Sequence, residues 1–503
     1  MMKYFKYKVL FFVLVFIGFI VILYATFFHN ENIENAELVY SKIEKSNLVY
    51  NISFNSNQAV YNYSDNCLYF PDEVFLKNNK IKVYSQYNTK HFIEKIDETY
   101  YLFIYSDKFY QKIPIKITNV PVINIVYYDI PKRFDYQDKI DFVDLDDSSV
   151  VEKEYSNVGA QIMYKNYDNI FNDNSSATIS LRGASSLIYD KKPYKLKFDK
   201  KISIMDIKDD VVALDALMTD RSKIRNLLSS NLWNIINDNQ FINNDMYGYF
   251  FELFINGDYV GLYSLKNKVN SDVTAISNKG VLLKSIAHSR NDYIDNLLNS
   301  NFTIDNDGYF LNYQVKKYND SSLYSIIEKL KDYYSDNSYE SIYNNFDFNN
   351  YINYLLFVSL ISGSDNLSYN RYLSLQNSNS KILITPWDMD LTWGLNWSDD
   401  ADLYSVFSME SSSDINWMNE NITKNMDSKT LSLMKQRYWE LRKNVITMDT
   451  INGYLDSYKE LLVNSGAAKR DSERWYEYDV EFEIEQIREW ARRRIEFLDE
   501  YLK

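Results

Sequence analysis

Three residues of this 503-residue chain have the types and spacing to do chemistry: Asp365, Asn370 and Asp388. Asp365 and Asn370 lie in Ser364-Asp-Asn-Leu-Ser-Tyr-Asn370. A predicted hairpin follows, and then Pro386-Trp387-Asp388-Met389-Asp390 leads to Gly394. A chain that runs out and back through one hairpin returns Asp388 to the neighbourhood of Asp365 and Asn370. Two carboxylates and an amide oxygen there suit a hard divalent cation and a phosphate-bearing substrate. The competing reading of the same stretch is a buried Asp/Asn hydrogen-bond network.

A phosphate site also needs donors, and Ala177-Thr-Ile-Ser-Leu181 offers a strand that ends in Arg182-Gly183-Ala184-Ser185-Ser186. Backbone N–H groups and hydroxyls of such a turn can face phosphate oxygens. The following strand, Lys191 to Phe198, puts Lys195 and Lys197 on one face because side chains alternate with period two. A hairpin with a solvated basic face has the same pattern. Asp220-Arg221-Ser222 predicts a helix start, since Asp and Ser suit an N-cap. Ile224, Leu227, Leu228, Leu232, Ile235 and Ile236 then fall on one apolar stripe. Arg225 lies outside that stripe and reaches either a ligand or a structural carboxylate.

Composition narrows the class. Hydrophobic content of 46% with 25% charged residues is that of a folded globular protein. A net charge of -14 disfavours nucleic-acid binding through a general basic surface. One cysteine, Cys67, excludes an intramolecular disulfide, and three scattered histidines make a zinc site a poor fit, so any metal here is oxygen-bound.

The elements that must position these residues come in order. Residues 9–28 carry no charge and are long enough to span a bilayer as an uncleaved signal anchor. Lys3, Lys6 and Lys8 keep residues 1–8 cytoplasmic, which puts the rest of the chain outside the membrane. Residues 29–119 read as a small antiparallel β-domain, either a stalk or a ligand-binding module. Residues 126–175 are polar and acidic, and Asp141, Asp144, Asp146 and Asp147 lack the spacing of a calcium loop, which leaves a solvated loop. Asn256-Gly257 between aromatic-rich runs predicts a hairpin, so 177–268 is expected to be an antiparallel sheet with one packed helix. From about 320 the periodicity is helical. Leu323, Ile326, Ile327, Leu330 and Tyr334 form one stripe, and Ile484, Ile487, Ala491, Ile495, Leu498 and Leu502 another, with Arg492, Arg493 and Arg494 expected on its wet side.

With these segments placed, residues 120–503 resemble the CotH kinase family, the spore-coat-protein-H-like atypical protein kinases. The resemblance rests on Arg182-Gly183-x-Ser185-Ser186, Lys191-Lys192-x-Tyr194-x-Leu196-Lys197, Asp220-Arg-Ser-x-Ile-Arg225-Asn226, Phe254-Ile-Asn256-Gly257-x-Tyr259-x-Gly261-x-Tyr263, Asp365-Asn366-x-x-x-Asn370 and Pro386-Trp387-Asp388-x-Asp390-x-x-x-Gly394, in that order. It implies an α+β, two-lobed kinase-like fold, with a smaller sheet lobe near 177–270 and a helical lobe near 320–503, binding ATP with Mg²⁺ or Mn²⁺ between them. It implies Asp365 as the catalytic aspartate. Asn370, Asp388 and Asp390 would hold metal, in the order of the kinase template. Arg182, Gly183, Ser185, Ser186, Arg225 and one of Lys195 and Lys197 would serve the nucleotide. The substrate would be Ser or Thr of a protein outside the cytoplasm; a pseudokinase scaffold and an adhesin-like binding protein are the alternatives. Where the family pattern reads Leu-x-Glu-Lys, this chain reads Leu265-Lys266-Asn267-Lys268, which weakens whatever nucleotide anchoring that acid provides.

Overall fold

The computed structural model describes residues 50–127, 156–237, 246–286, 313–395 and 416–503, with short interruptions, together with 304, 309 and 310. The anchor expected at 9–28 and the loop of Asp141, Asp144, Asp146 and Asp147 lie outside these residues. Among the described residues no helix is long and apolar enough to cross a membrane. The architecture is mixed α+β.

Eight strands precede residue 120: β1 (Tyr50–Phe54), β2 (Asn57–Gln58), β3 (Tyr61–Asn62), β4 (Cys67–Phe70), β5 (Ile81–Ser85), β6 (Lys90–Ile96), β7 (Thr99–Tyr105) and β8 (Tyr110–Ile117). They form two sheets, ordered β2-β1-β5 and β3-β4-β8-β7-β6. Their shared core of Leu68, Phe70, Leu102, Ile104 and Ile113 also takes in Val122, Met163 and Phe254 from the next unit. Each such side chain contributes roughly 1.5–3 kcal/mol when buried.

That next unit is a closed barrel of β9 (Val122–Tyr127), β10 (Ser156–Asn166), β11 (Asn169–Leu181), β12 (Tyr194–Ile204), β13 (Ile207–Asp215), β14 (Gly248–Ile255) and β15 (Asp258–Asn267). β9 closes it by pairing antiparallel with β10 and parallel with β14. The interior is filled by alternate residues: Val158, Ala160, Ile162 and Tyr164 from β10, Tyr194, Leu196 and Phe198 from β12, and Tyr263 and Leu265 from β15. The sheet therefore starts well before residue 177. The polar reading of 126–175 missed β10 because the long polar interval around it hid an alternation in which Val158, Ala160, Ile162 and Tyr164 face the interior. At the tip of β14 and β15, Asn256 and Gly257 both adopt left-handed φ, 51° and 85°, as a two-residue hairpin turn requires.

Helix α1 (Arg225–Ile236) follows β13. It starts later than expected: residues 220–223 form a turn in which Asp220 accepts from Ser222 N and Arg225 N at 2.9 Å each, and Ile224 takes the cap position. A further five-stranded sheet, ordered β17-β18-β16-β19-β20, comprises β16 (Val281–Ser285), β17 (Tyr309–Phe310), β18 (Tyr313–Lys317), β19 (Arg371–Leu375) and β20 (Leu383–Pro386). It shares one large core with α1, α2 (Asp320–Ser335), α3 (Tyr339–Asn345), α4 (Phe348–Ile361), α5 (Ser428–Leu441), α6 (Met448–Lys459), α7 (Ala467–Arg474) and α8 (Val480–Tyr501). The predicted stripes of α2 and α8 are buried, apart from the half-buried Tyr334. Arg494 departs from expectation. It is fully buried, donates from Nε to Ser359 O at 2.8 Å and stacks near Trp417 and Phe497, while Arg492 and Arg493 stay outside with glutamates.

Candidate active site

The loop that carries Asp365 begins where α4 stops. Ser362 takes a left-handed φ of 52°, Gly363 N bonds back to Val358 O at 3.2 Å, and Asp365–Leu367 make one 3₁₀ turn. The Asp365 carbonyl accepts from Tyr369 N at 2.9 Å and Asn370 N at 3.1 Å, which closes the loop on itself. Asn366 is buried at its centre and donates from Nδ2 to both Asn370 O and Trp387 O at 2.8 Å. β19 and β20 then pair with Arg371 opposite Pro386, so the hairpin read from the sequence returns the chain at the required place. Trp387 N donates to Asn370 O at 2.9 Å, and Asn370 Nδ2 approaches Asp388 O at 3.4 Å. The Asp365 side chain is half-buried.

Asp388 itself sits at a φ of 55°, a conformation uncommon for residues with a Cβ and one that turns its carboxylate out of the strand direction. Asp390, two residues on, accepts from Thr219 Oγ1 at 2.5 Å. Burial, with the adjacent charge of Asp388, pushes the Asp390 carboxyl up to about 7. Arg225 braces this loop from behind. Its Nη1 meets Asp220 at 2.5 Å, its Nε donates to Thr392 O at 3.1 Å, and its Nη2 lies 3.5 Å from Glu483. Of the two roles open to Arg225, the contacts are with structural carboxylates.

The cations come from the barrel, and the foremost of them had not been singled out. Lys266 on β15 points outward because its neighbour Leu265 points in. Its Nζ is an ion pair with Asp215 at 2.5 Å and lies 4.6 Å from the centre of the Trp387 ring. The pair lacks hydrogen-bond alignment, so among the described residues the Nζ protons have no aligned acceptor. Burial pulls this amine down to about 8, with Asp388 favouring its charge and Arg182 opposing it. Arg182 also pairs with Asp215, and its guanidinium lies 6.0 Å from the Trp387 ring. Lys195 shares the outer face of Lys266 through Ala213, which pairs with both. Lys195 is half-buried and Lys197 exposed.

Gly183 at φ 96° makes the turn after Arg182, where a Cβ would run into the Ser186 hydroxyl. Ser185 opens a short 3₁₀ turn, Ser185–Ile188, but its side chain lies outside what the structure describes, as does Ala184. Asn267 is buried beside Lys266 and accepts from Tyr247 N at 3.0 Å. A signal for Lys266 was present: it is the only charged residue in the run from Tyr259 to Leu265-Lys266-Asn267. The acidic partner, Asp215, stands fifty positions away, and only sheet register reveals it.

The donor set fits a hard cation. Asp388 and Asp390 supply carboxylates, and Asn370, whose Nδ2 faces Asp388 O, has an amide oxygen to offer. Among the described residues no three His, Cys, Asp or Glu side chains gather as a preformed cage. A family model described as CotH kinase protein matches residues 179–498, well over half of the chain and every site element above. No protein of curated function matches the sequence.

Proposed function

The chain belongs to the CotH kinase family, and from that premise we propose that it transfers the γ-phosphate of ATP to Ser or Thr hydroxyls of a surface or coat protein. Family membership carries the kinase-like function. The observation that supports this site for it is the opposition of charges. Lys266 and Arg182 project from the barrel towards Trp387, while Asp388 and Asp390 follow Trp387 on the loop.

Bound Mg²⁺ or Mn²⁺ would neutralise charge on the phosphates. Asp388, Asp390 and the amide oxygen of Asn370 are the residues that would hold it. Lys266, with Arg182, would balance negative charge on the transferring group from a fixed position, an electrostatic contribution that needs no reorganisation. Asp365 would orient the acceptor hydroxyl and take up its proton. Gly183 leaves the turn's backbone open to approach, with the Ser186 hydroxyl beside it. Residues 9–28 would anchor the chain with this site on the outer side of the membrane.

A scaffold without turnover is the second reading, and Asn267 in place of the family glutamate is what favours it. Against it, Asn267 is engaged with the Tyr247 backbone, and Asp215 provides the acidic partner of Lys266. The test is incubation of the purified full chain with γ-labelled ATP, Mg²⁺ or Mn²⁺, and a Ser-rich acceptor. Label should move to protein and be lost in Asp365→Ala. Failure of the wild type to transfer, with no rise in melting temperature from nucleotide plus metal, would leave the scaffold reading.

A further inference from the structure

We propose that Trp387 is a positioning residue whose indole holds Lys266 and Arg182 away from Asp388 and Asp390, keeping the cations available to phosphate and the carboxylates available to metal. This rests on the kinase reading above and adds a role that the reading does not require.

Trp387 is nearly fully buried, and its backbone is fixed at both ends of the peptide unit, by Asn370 O at 2.9 Å and Asn366 Nδ2 at 2.8 Å. Its side chain is fixed too. Tyr372 meets it edge-on at 6.0 Å and 90°, the favoured aromatic geometry. These contacts favour the observed position of the ring. Against it lie Lys266 Nζ at 4.6 Å and the Arg182 guanidinium at 6.0 Å, both within the range of attraction to an aromatic ring.

The charges around the ring show what the indole prevents. Asp388 acts electrostatically on both Lys266 and Arg182, and Asp390 acts on Lys266; opposite charges in a poorly solvated site attract strongly. Yet neither Lys266 nor Arg182 forms an ion pair with Asp388 or Asp390. Both go instead to Asp215 on the barrel side. A direct Lys266–Asp388 pair would spend the metal carboxylate on a protein cation and the phosphate cation on a protein anion. An uncharged surface with a negative π-face attracts the cations alongside Asp215 without engaging the metal carboxylates. A branched aliphatic side chain would give the same exclusion of water without that attraction.

Mn²⁺ binding, read by electron paramagnetic resonance with and without ATP, tests the proposal on the full chain. Trp387→Leu should weaken Mn²⁺ binding by about tenfold or more, the scale of a desolvated cation–π contact. It should also raise KM for metal–ATP more than it lowers kcat. Trp387→Phe should recover most of the loss. Adding Lys266→Met to Trp387→Leu should restore Mn²⁺ affinity, an effect that a merely structural role would not produce. Should Trp387→Leu fail to fold, a series of progressively fluorinated tryptophans keeps the ring's shape while weakening its π-face. Mn²⁺ affinity should fall stepwise along that series in the wild type and stay level in Trp387→Phe. A folded Trp387→Leu with wild-type Mn²⁺ affinity, no rescue by Lys266→Met, or a flat fluorination series overturns the proposal while leaving the kinase reading standing. A wild type that binds neither Mn²⁺ nor metal–ATP overturns the kinase reading, and this inference with it.

Discussion

Lys266 and Asp215 meet diagonally across two neighbouring strands. Register sets Lys266 opposite Ala213 and Asp215 opposite Ser264, and the 2.5 Å ion pair spans the offset. Ala213, directly opposite Lys266, has a small side chain that leaves the lysine room to lean towards Asp215. On the proposed reading, the carboxylate at the end of β13 would do for Lys266 what a helix glutamate does in the kinase template, and α1 carries no acid.

Replacement of Lys266 by Met should therefore abolish most turnover while the barrel stays folded. Loss of one preorganised charge facing a transition state costs about 10²–10³ in rate. Lys197→Met, at an exposed position on the same sheet, should leave kcat/KM close to wild type. Steady-state phosphoryl transfer by the two variants checks the assignment. Equal losses would return the role to β12.

Asp365 and Asp388 should separate binding from chemistry. Asp388→Asn should remove the rise in melting temperature that ATP and Mg²⁺ give, because it takes away one of the two carboxylates proposed to hold the metal. Asp365→Asn should keep that rise and lose transfer, since its proposed role is towards the acceptor hydroxyl. A thermal-shift titration beside a transfer assay distinguishes them.

The legible part of this site was local in sequence. Asp365, Asn370 and Asp388 could be joined because one short hairpin connects them, and the Asn256-Gly257 turn states its own geometry. Lys195 and Lys197 drew attention because they cluster, whereas Lys266 stands alone in an apolar strand and gains meaning only from β13 beside it. Arg494 was misplaced for a related reason. Helical periodicity puts it next to two solvated arginines, and its burial depends on the Ser359 carbonyl at the end of another helix. The barrel was under-read because β9 closes it from beyond a long polar interval.

Lys191 should leave a signature on the alkaline limb of stability. It is fully buried, with Nζ 2.7 Å from Asp471 and 2.5 Å from Leu262 O, and burial pulls it down to about 8 despite that carboxylate. An unfolded lysine keeps its proton to about 10.5. Between these values the unfolded state binds more protons than the folded one, so unfolding free energy rises with pH, by about 1.4 kcal/mol per unit at most. Below about 8 both states are charged and the slope vanishes. Urea unfolding from pH 7 to 10.5 should show this rise in the wild type relative to Lys191→Met. Parallel curves would mean that Asp471 keeps Lys191 charged throughout.

Arg470 on α7 ties three parts of the chain together. Its Nε lies 2.7 Å from Glu252 on β14, and its Nη2 donates to Thr118 O at 3.0 Å, just past β8. Glu252 is fully buried, with Tyr259 OH at 3.0 Å as a second donor. Burial pushes its carboxyl up, and Arg470 holds it down. Arg470→Ala leaves that carboxylate without its counter-charge and should cost about 3–5 kcal/mol. The Thr118 contact and the core shared with Phe254 mean that the strands before residue 120 should loosen as well. Glu252→Leu combined with Arg470→Met should recover most of the loss, because replacing both charges by apolar groups removes the desolvation penalty along with the attraction. A double-mutant cycle in urea, with limited proteolysis between β8 and β9 as the second readout, measures the coupling. If Arg470→Ala unfolds no earlier and exposes no new cleavage site there, the strands of 50–117 are held by their apolar core alone.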